Sequence, residues 1–331
     1  MIKNKKISQE VITNTHHLRN ERFPFDASIK KVININGGAG KRRAPPIVPR
    51  RSVKKEYQAA WLLRAISCMD LTTLAGDDTQ GNVARLCAKA KNPVRKDLLE
   101  AMGMADAGIT TGAVCVYHNL IPFAVEALKG TKIPIAAVST GFPAGQISLP
   151  EKLKEIELSV SAGAKEIDIV ISRALVLQSD WKALYGEIAA CRKACGDAHM
   201  KTILATGEIP TYTKVAKASM VAMMAGSDFI KTSTGKESVN ATLPVTLVMV
   251  RMIREYLELT GYKVGYKPAG GIAKAKDALN YLILMKEELG HDWLQPDLFR
   301  FGASSLLGDI ERQLEHFVTG RYSASYRHPM A

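Results

Sequence analysis

From Tyr57 onward the chain alternates short apolar runs with longer stretches in which apolar residues recur at helical spacing. Eight runs read as strands: Ile66 to Asp70, Val114 to Tyr117, Ile135 to Ser139, Glu166 to Ile171, Thr202 to Ala205, Asp228 to Lys231, Val264 to Lys267 and Phe299 to Gly302. The stretches between them carry patterns such as Trp181, Leu184, Tyr185, Ile188 and Val245, Val248, Met249, Met252, which lay one apolar stripe along a helix. Gly163, Gly196, Gly226 and Gly261 fall where such helices must close before the next strand, a place that suits the left-handed conformation. Strand and helix alternating in this way over about 250 residues predict an α/β fold of the (β/α)8 TIM-barrel type, with a doubly wound sheet as the alternative. The barrel is favoured because polar residues recur at strand C-terminal ends, where barrels keep their sites: Asp70 with Thr72 and Thr73, Tyr117, Ser139 with Thr140, Asp168, Thr206 with Glu208, Lys231, Lys267, and Ser304 with Ser305.

Charge changes the picture at one end only. The chain of 331 residues has a net charge of +13, but residues 1–55 hold +11 of it, with 14 Lys and Arg against Glu10, Glu21 and Asp26. That segment has no sustained apolar period and ends in Lys-Arg-Arg-Ala-Pro-Pro-Ile-Val-Pro-Arg-Arg (41–51). It reads as a basic, flexible or loosely packed arm, followed by a barrel over 56–320 and a tail over 321–331. The arm's clusters suit contact with a polyanion or a nuclear address, a solvated tail being the plainer alternative and a transit peptide a further one. No apolar run approaches the roughly 18 residues of a membrane span. Five scattered cysteines without a CxxC pair fit reduced thiols. The expectation is a soluble cytoplasmic protein, with no membrane partner.

Two lysines carry the candidate chemistry. In Asp-Phe-Ile-Lys-Thr-Ser-Thr-Gly-Lys (228–236), Lys231 ends a strand and shares a face with Phe229. Lys267, in Gly-Tyr-Lys-Pro-Ala-Gly-Gly (265–271), is placed the same way on the next strand. An ordinary lysine, with a pKa of about 10.4, is on the order of 0.1% neutral or less at pH 7 and a poor nucleophile. Desolvation and a neighbouring ammonium both favour the neutral amine, so an inward pair can activate one of its members; the structural alternative is a lysine paired with a carboxylate. Asp168, on one face with Glu166 and Val170, needs a cationic or hydrogen-bonding partner if that face is interior, the lysines being the obvious ones, and can then relay protons, a purely structural role being the alternative. Gly270 and Gly271 after the seventh strand, and Gly302 to Ser305 after the eighth, sit where barrels bind phosphate; Gly235 and Lys236 can join the same pocket.

Met-Asp-Leu-Thr-Thr-Leu (69–74), Val-Cys-Val-Tyr (114–117), Glu-Ile-Asp-Ile-Val (166–170), the Lys231 motif, Lys-Pro-Ala-Gly-Gly (267–271) and Phe-Gly-Ala-Ser-Ser-Leu-Leu (301–307) together resemble deoxyribose-phosphate aldolase, in order, from about residue 55 to 320. The resemblance implies a class I aldolase that reversibly cleaves 2-deoxy-D-ribose 5-phosphate to D-glyceraldehyde 3-phosphate and acetaldehyde in deoxyribonucleoside catabolism, with neither metal nor cofactor. It implies Lys231 as the Schiff-base lysine, Lys267 as its pKa-lowering neighbour and Asp168 as the proton relay. Asp70, Gly235, Lys236, Gly270, Gly271, Gly302, Ser304 and Ser305 are then the substrate and phosphate residues. The chain departs from the family at Ala273, where an arginine is usual, with Lys274 beside it, and at His118, where proline is common. A transaldolase-like Schiff-base barrel and an inert barrel serving a polyanion-binding arm are the competing readings. Homo-oligomerisation is compatible with all of them.

Overall fold

The computed structural model describes residues 20–28 and 33–328. Eight parallel strands run β1 (Met69–Thr72), β2 (Ala113–Val116), β3 (Ile135–Ser139), β4 (Glu166–Val170), β5 (His199–Ile203), β6 (Phe229–Lys231), β7 (Gly265–Lys267) and β8 (Phe301–Ala303). From β1 to β7 each pairs with the next in parallel register, and β8 pairs with β1. Single bridges Tyr266↔Phe299 and Ala269↔Gly302 join β7 to the β8 segment, so the sheet closes as the TIM barrel the alternation predicts. Period-two alternation then divides the buried residues. Val114, Val116, Ile167 and Ile169 face outward into the main core under the helices, whereas Ala113, Cys115, Ala136, Val138, Val170 and Ile203 form a separate cluster inside the barrel. The four glycines expected to close helices all have positive φ, with Gly261 at 78° serving as the C-cap of Leu243–Thr260.

Three strands, β1, β5 and β8, differ from the sequence reading by two residues or more at a boundary, and each difference moves a charged interior residue. Ile66 belongs to the helix Lys55–Ser67, and β1 runs on to Thr72, so Asp70 lies mid-strand instead of at the mouth. The fifth strand begins at His199, three residues before the expected Thr202, which brings Lys201 onto the interior face. Thr202 itself points outward and shares a hydrogen bond with Ser227 at 2.6 Å. β8 begins at Phe301, leaving Arg300 just below its first residue.

Parts of the arm within 20–28 and 33–55 contact the barrel, while 1–19 and 29–32 lie outside the described residues. Asn20 is buried and donates to the Met223 and Ser227 carbonyls at 2.8 and 2.9 Å, and it accepts from the Tyr256 hydroxyl at 3.0 Å. Ile33, Ala44 and Ile47 join the main core, and the helix Gly37–Arg43 packs on Leu243–Thr260. Isolated anchors of this kind leave no period for a sequence pattern to show. The tail is pinned as well, through buried His328 against Glu315 at 2.9 Å. No helix among the described residues is long and apolar enough to cross a membrane.

Candidate active site

Alternation along β4, β5, β6 and β7 and the start of β8 aims Glu166, Asp168, Lys201, Lys231, Lys267 and Arg300 into the barrel, joined by Asp70 from β1. They share the barrel interior with the apolar cluster of Ala113, Cys115, Ala136, Val138, Val170 and Ile203. At the floor, Arg300 donates to Asp70 Oδ1 at 2.5 Å and to Glu166 Oε1 at 2.8 Å. Lys201 binds Glu166 and faces Asp70 and Asp168, each at 3.4 Å. One layer higher, Lys267 bonds to Asp70 and reaches Asp168 Oδ2 at 2.8 Å. The same Oδ2 accepts from Lys231 Nζ at 2.7 Å, so Asp168 bridges the two lysines. The direct ammonium repulsion that the sequence suggests is thus mediated by a shared carboxylate.

The charges sort the three lysines into two kinds. Burial alone would lower all of them. At Lys267, Asp168 and Asp70 overcome it and lift the pKa far above the ordinary lysine value, so this residue stays an ammonium. At Lys201 burial is likewise outweighed, by Asp70, Glu166 and Asp168. At Lys231 burial leads, Asp168 opposes it, Lys267 adds to it, and the net shift is downward. Burial also works against ionised Asp168, yet Lys231, Lys267 and Lys201 hold its carboxyl well below the usual range. Its Oδ1 accepts no hydrogen bond among the described residues. Beside them burial pushes the Cys115 thiol up to about 11, so it is neutral at ordinary pH.

Above this column a cavity of about 410 Å³ opens at the C-terminal mouth of the barrel, with Lys231 lining it. Gly235, Lys236, Gly270, Gly271, Gly302, Ser304 and Ser305 all line the same cavity, brought there by the turns after β6, β7 and β8. Gly270 and Gly271 turn with φ of 79° and 77°. The helix Leu306–Thr319 starts here from Ser305, whose side chain makes no cap. Gly302 has a second use: a Cβ there would stand 2.8 Å from Ala269 Cβ and 3.2 Å from Lys267 Cε, crowding the buried lysine. The Gly235 amide is engaged by the Glu237 carboxylate at 3.1 Å.

Asp70, expected to touch substrate, lies outside the cavity lining and fully buried among Lys267, Lys201 and Arg300; Thr72 occupies the mouth position instead. His118 is away from the cavity, bonded through Nδ1 to Ser159 Oγ at 2.9 Å. Ala273 does line it, and presents no charge. The sequence reading does not single out Lys201 and Arg300, which the structure brings into the charged column. The signal for Lys201 was available in Met-Lys-Thr-Ile (200–203), a charge alternating with apolar residues.

Residues 64–308 match the model of the DeoC/LacD family aldolases. A bovine protein named deoxyribose-phosphate aldolase is 62% identical over 93% of this chain and 97% of its own length. The human protein of that name is 60% identical over 94% of this chain and 99% of its own. Among solved structures, the tetrameric deoxyribose phosphate aldolase of Aeropyrum pernix superposes with a TM-score of 0.60 at 21% identity, covering 85% of this chain and 99% of that one, a likeness of fold.

Proposed function

The chain belongs to the DeoC/LacD family of aldolases, and within it to the deoxyribose-phosphate aldolases; from that premise we propose that it cleaves 2-deoxy-D-ribose 5-phosphate reversibly through an imine on Lys231. The observation that carries the reading is one cavity-lining lysine with a lowered pKa set above one that stays charged. The neutral Lys231 amine adds to the C1 aldehyde of the open-chain sugar, and loss of water gives a protonated imine. Acetaldehyde takes C1 and C2, so the C2–C3 bond is the one that breaks. Its electron pair flows into the iminium to give an enamine, and the C3 hydroxyl gives up its proton as the aldehyde of D-glyceraldehyde 3-phosphate forms. Protonation at C2 and addition of water to the imine then release acetaldehyde and restore the amine.

Asp168 is the carboxylate bonded to the Lys231 amine, which places it to pass these protons to and from the imine nitrogen. Lys267, held as an ammonium, opposes protonation of Lys231 without competing as a nucleophile. We assign the substrate phosphate to Lys236 and the turns of Gly270, Gly271, Ser304 and Ser305, which ring the cavity about its lysine. Lys236→Ala should raise KM for the phosphorylated sugar by about tenfold or more while hardly changing the use of free deoxyribose; equal losses on both substrates would move the phosphate elsewhere.

Borohydride reduction with substrate present tests the nucleophile. The adduct should map to the peptide bearing Lys231 and vanish in Lys231→Met. Modification of Lys267 or Lys236 would overturn the assignment, and the absence of any lysine adduct would overturn the imine.

A further inference from the structure

The basic arm packs its arginines around a hollow on the outer flank of the barrel, remote from the interior charge column in its residues. The helix Gly37–Arg43, the turn Val48–Arg50 and the helix Leu243–Thr260 enclose a cavity of about 310 Å³ lined by Arg42, Arg43, Arg50, Arg251 and Glu288, with Ile47 as an apolar wall. Its one carboxylate is already committed. Glu288 accepts two bonds from Arg251, at 3.0 and 2.9 Å, and a third from Arg254 at 3.2 Å. The neighbouring Arg51 is neutralised by Glu287 at 2.5 Å. Arg42, Arg43 and Arg50 make no ion pair among the described residues, so they bring three uncompensated positive charges to a single concavity.

Arg42, Arg43 and Arg50 are exposed, but they are gathered at one hollow instead of being spread over the surface. Here Ile33, Ala44 and Ile47 are buried and hold the segment, and with it the arginines, against the barrel helices. Each free guanidinium presents a planar fork of donors that matches two oxygens of a phosphate. A hollow ringed by three such forks suits a compact ligand with several negative charges better than an extended backbone, which would need its cations laid out in a row.

We propose that this hollow is a binding site for a compact oligophosphate, the chemistry shared by free polyphosphate and the phosphate tail of a nucleotide. The site is separate from the aldolase cavity and does not depend on the imine reading.

Isothermal titration of the full chain with inorganic tripolyphosphate, at about 0.15 M salt to suppress diffuse attraction, tests it. One saturable site per chain is expected, weakened by about tenfold or more in Arg42→Gln/Arg50→Gln and by less than about threefold in Arg22→Gln/Lys54→Gln, which removes the same charge from exposed arm residues outside the hollow. Retained aldolase turnover serves as the check that both variants are folded. Equal weakening by the two pairs would overturn the pocket in favour of diffuse attraction by the arm, and so would tighter binding of a short duplex DNA than of tripolyphosphate. Absence of saturable binding would overturn the site altogether. Should the double variant fail to fold, Arg50→Gln alone, at an exposed residue without an ion pair, should still weaken binding by about threefold, and an unchanged affinity would sink the proposal. Adenosine triphosphate and tripolyphosphate titrated in parallel separate the two sources: equal affinity points to the phosphates alone, tighter nucleotide binding to contacts from the base or sugar.

Discussion

Lys201 and Lys231 sit on adjacent strands of one barrel, both buried and both aimed inward, yet they are opposite chemical objects. Lys201, at the floor, has three carboxylates around it and keeps its proton. Lys231, at the mouth, touches only Asp168, shares it with Lys267, and is pushed toward the neutral amine. Burial does not make a lysine reactive by itself; the number of carboxylates within reach decides. The column also has a charge count. Lys201, Lys231, Lys267 and Arg300 face Asp70, Glu166 and Asp168, so the sealed interior has one cation more than it has carboxylates when all are ionised. Loss of a proton from Lys231 balances the set, and it is the member with the weakest hold on its proton.

Lys267→Leu breaks the comparison most severely. It removes the ammonium that disfavours charge on Lys231 and leaves Asp168 free to stabilise that charge, so the Lys231 pKa rises toward about 10.4. Neutral amine at pH 7, and kcat with it, should fall by roughly one to three powers of ten, with partial recovery as pH rises. Stopped assays across pH check this. A folded variant equally inactive at both ends of the range would show Lys267 acting by contact with substrate instead of by charge.

Lys201→Met acts from one layer below. With the column then balanced while Lys231 is protonated, the rising limb of the kcat profile should move to higher pH by about one unit, a loss of about tenfold at pH 7. A structural role would lower the plateau without moving the limb, which separates the two explanations in one experiment.

The order of the barrel was legible because buried parallel strands and amphipathic helices have different periods, and Lys231 stood out because a strand end on an inward face is a rare place for a cation. The boundary at Ile66 was not legible, since apolar residues closing a helix and opening a strand look alike in sequence. Asp70 was therefore set two residues too near the mouth, and Lys201 was hidden below an expected start at Thr202. Parity along a strand reveals which residues face inward, never which of them meet. That Asp168 would bridge Lys231 and Lys267, while Arg300 joined Asp70 to Glu166, depends on contacts between strands far apart in the chain.

The smallest effect belongs to a pair of changes chosen to cancel. Glu166→Gln removes a negative charge from the same floor that loses a positive one in Lys201→Met, so alone it should move the pH profile in the opposite direction, toward lower pH. Its stability should suffer, because Arg300 and Lys201 lose a shared buried partner, and breaking such a pair costs about 3–5 kcal/mol. Combining the two replaces a bonded ion pair with neutral side chains of similar length, an exchange that is often close to neutral for stability. The double variant restores the excess of one cation, and its profile should return to within about 0.3 of a pH unit of the parent. Thermal unfolding measured alongside should show the double variant more stable than Glu166→Gln. If the profile of the double variant stayed where Lys201→Met put it, the floor would be acting on Lys231 through geometry alone, and the charge count would have no part in setting its reactivity.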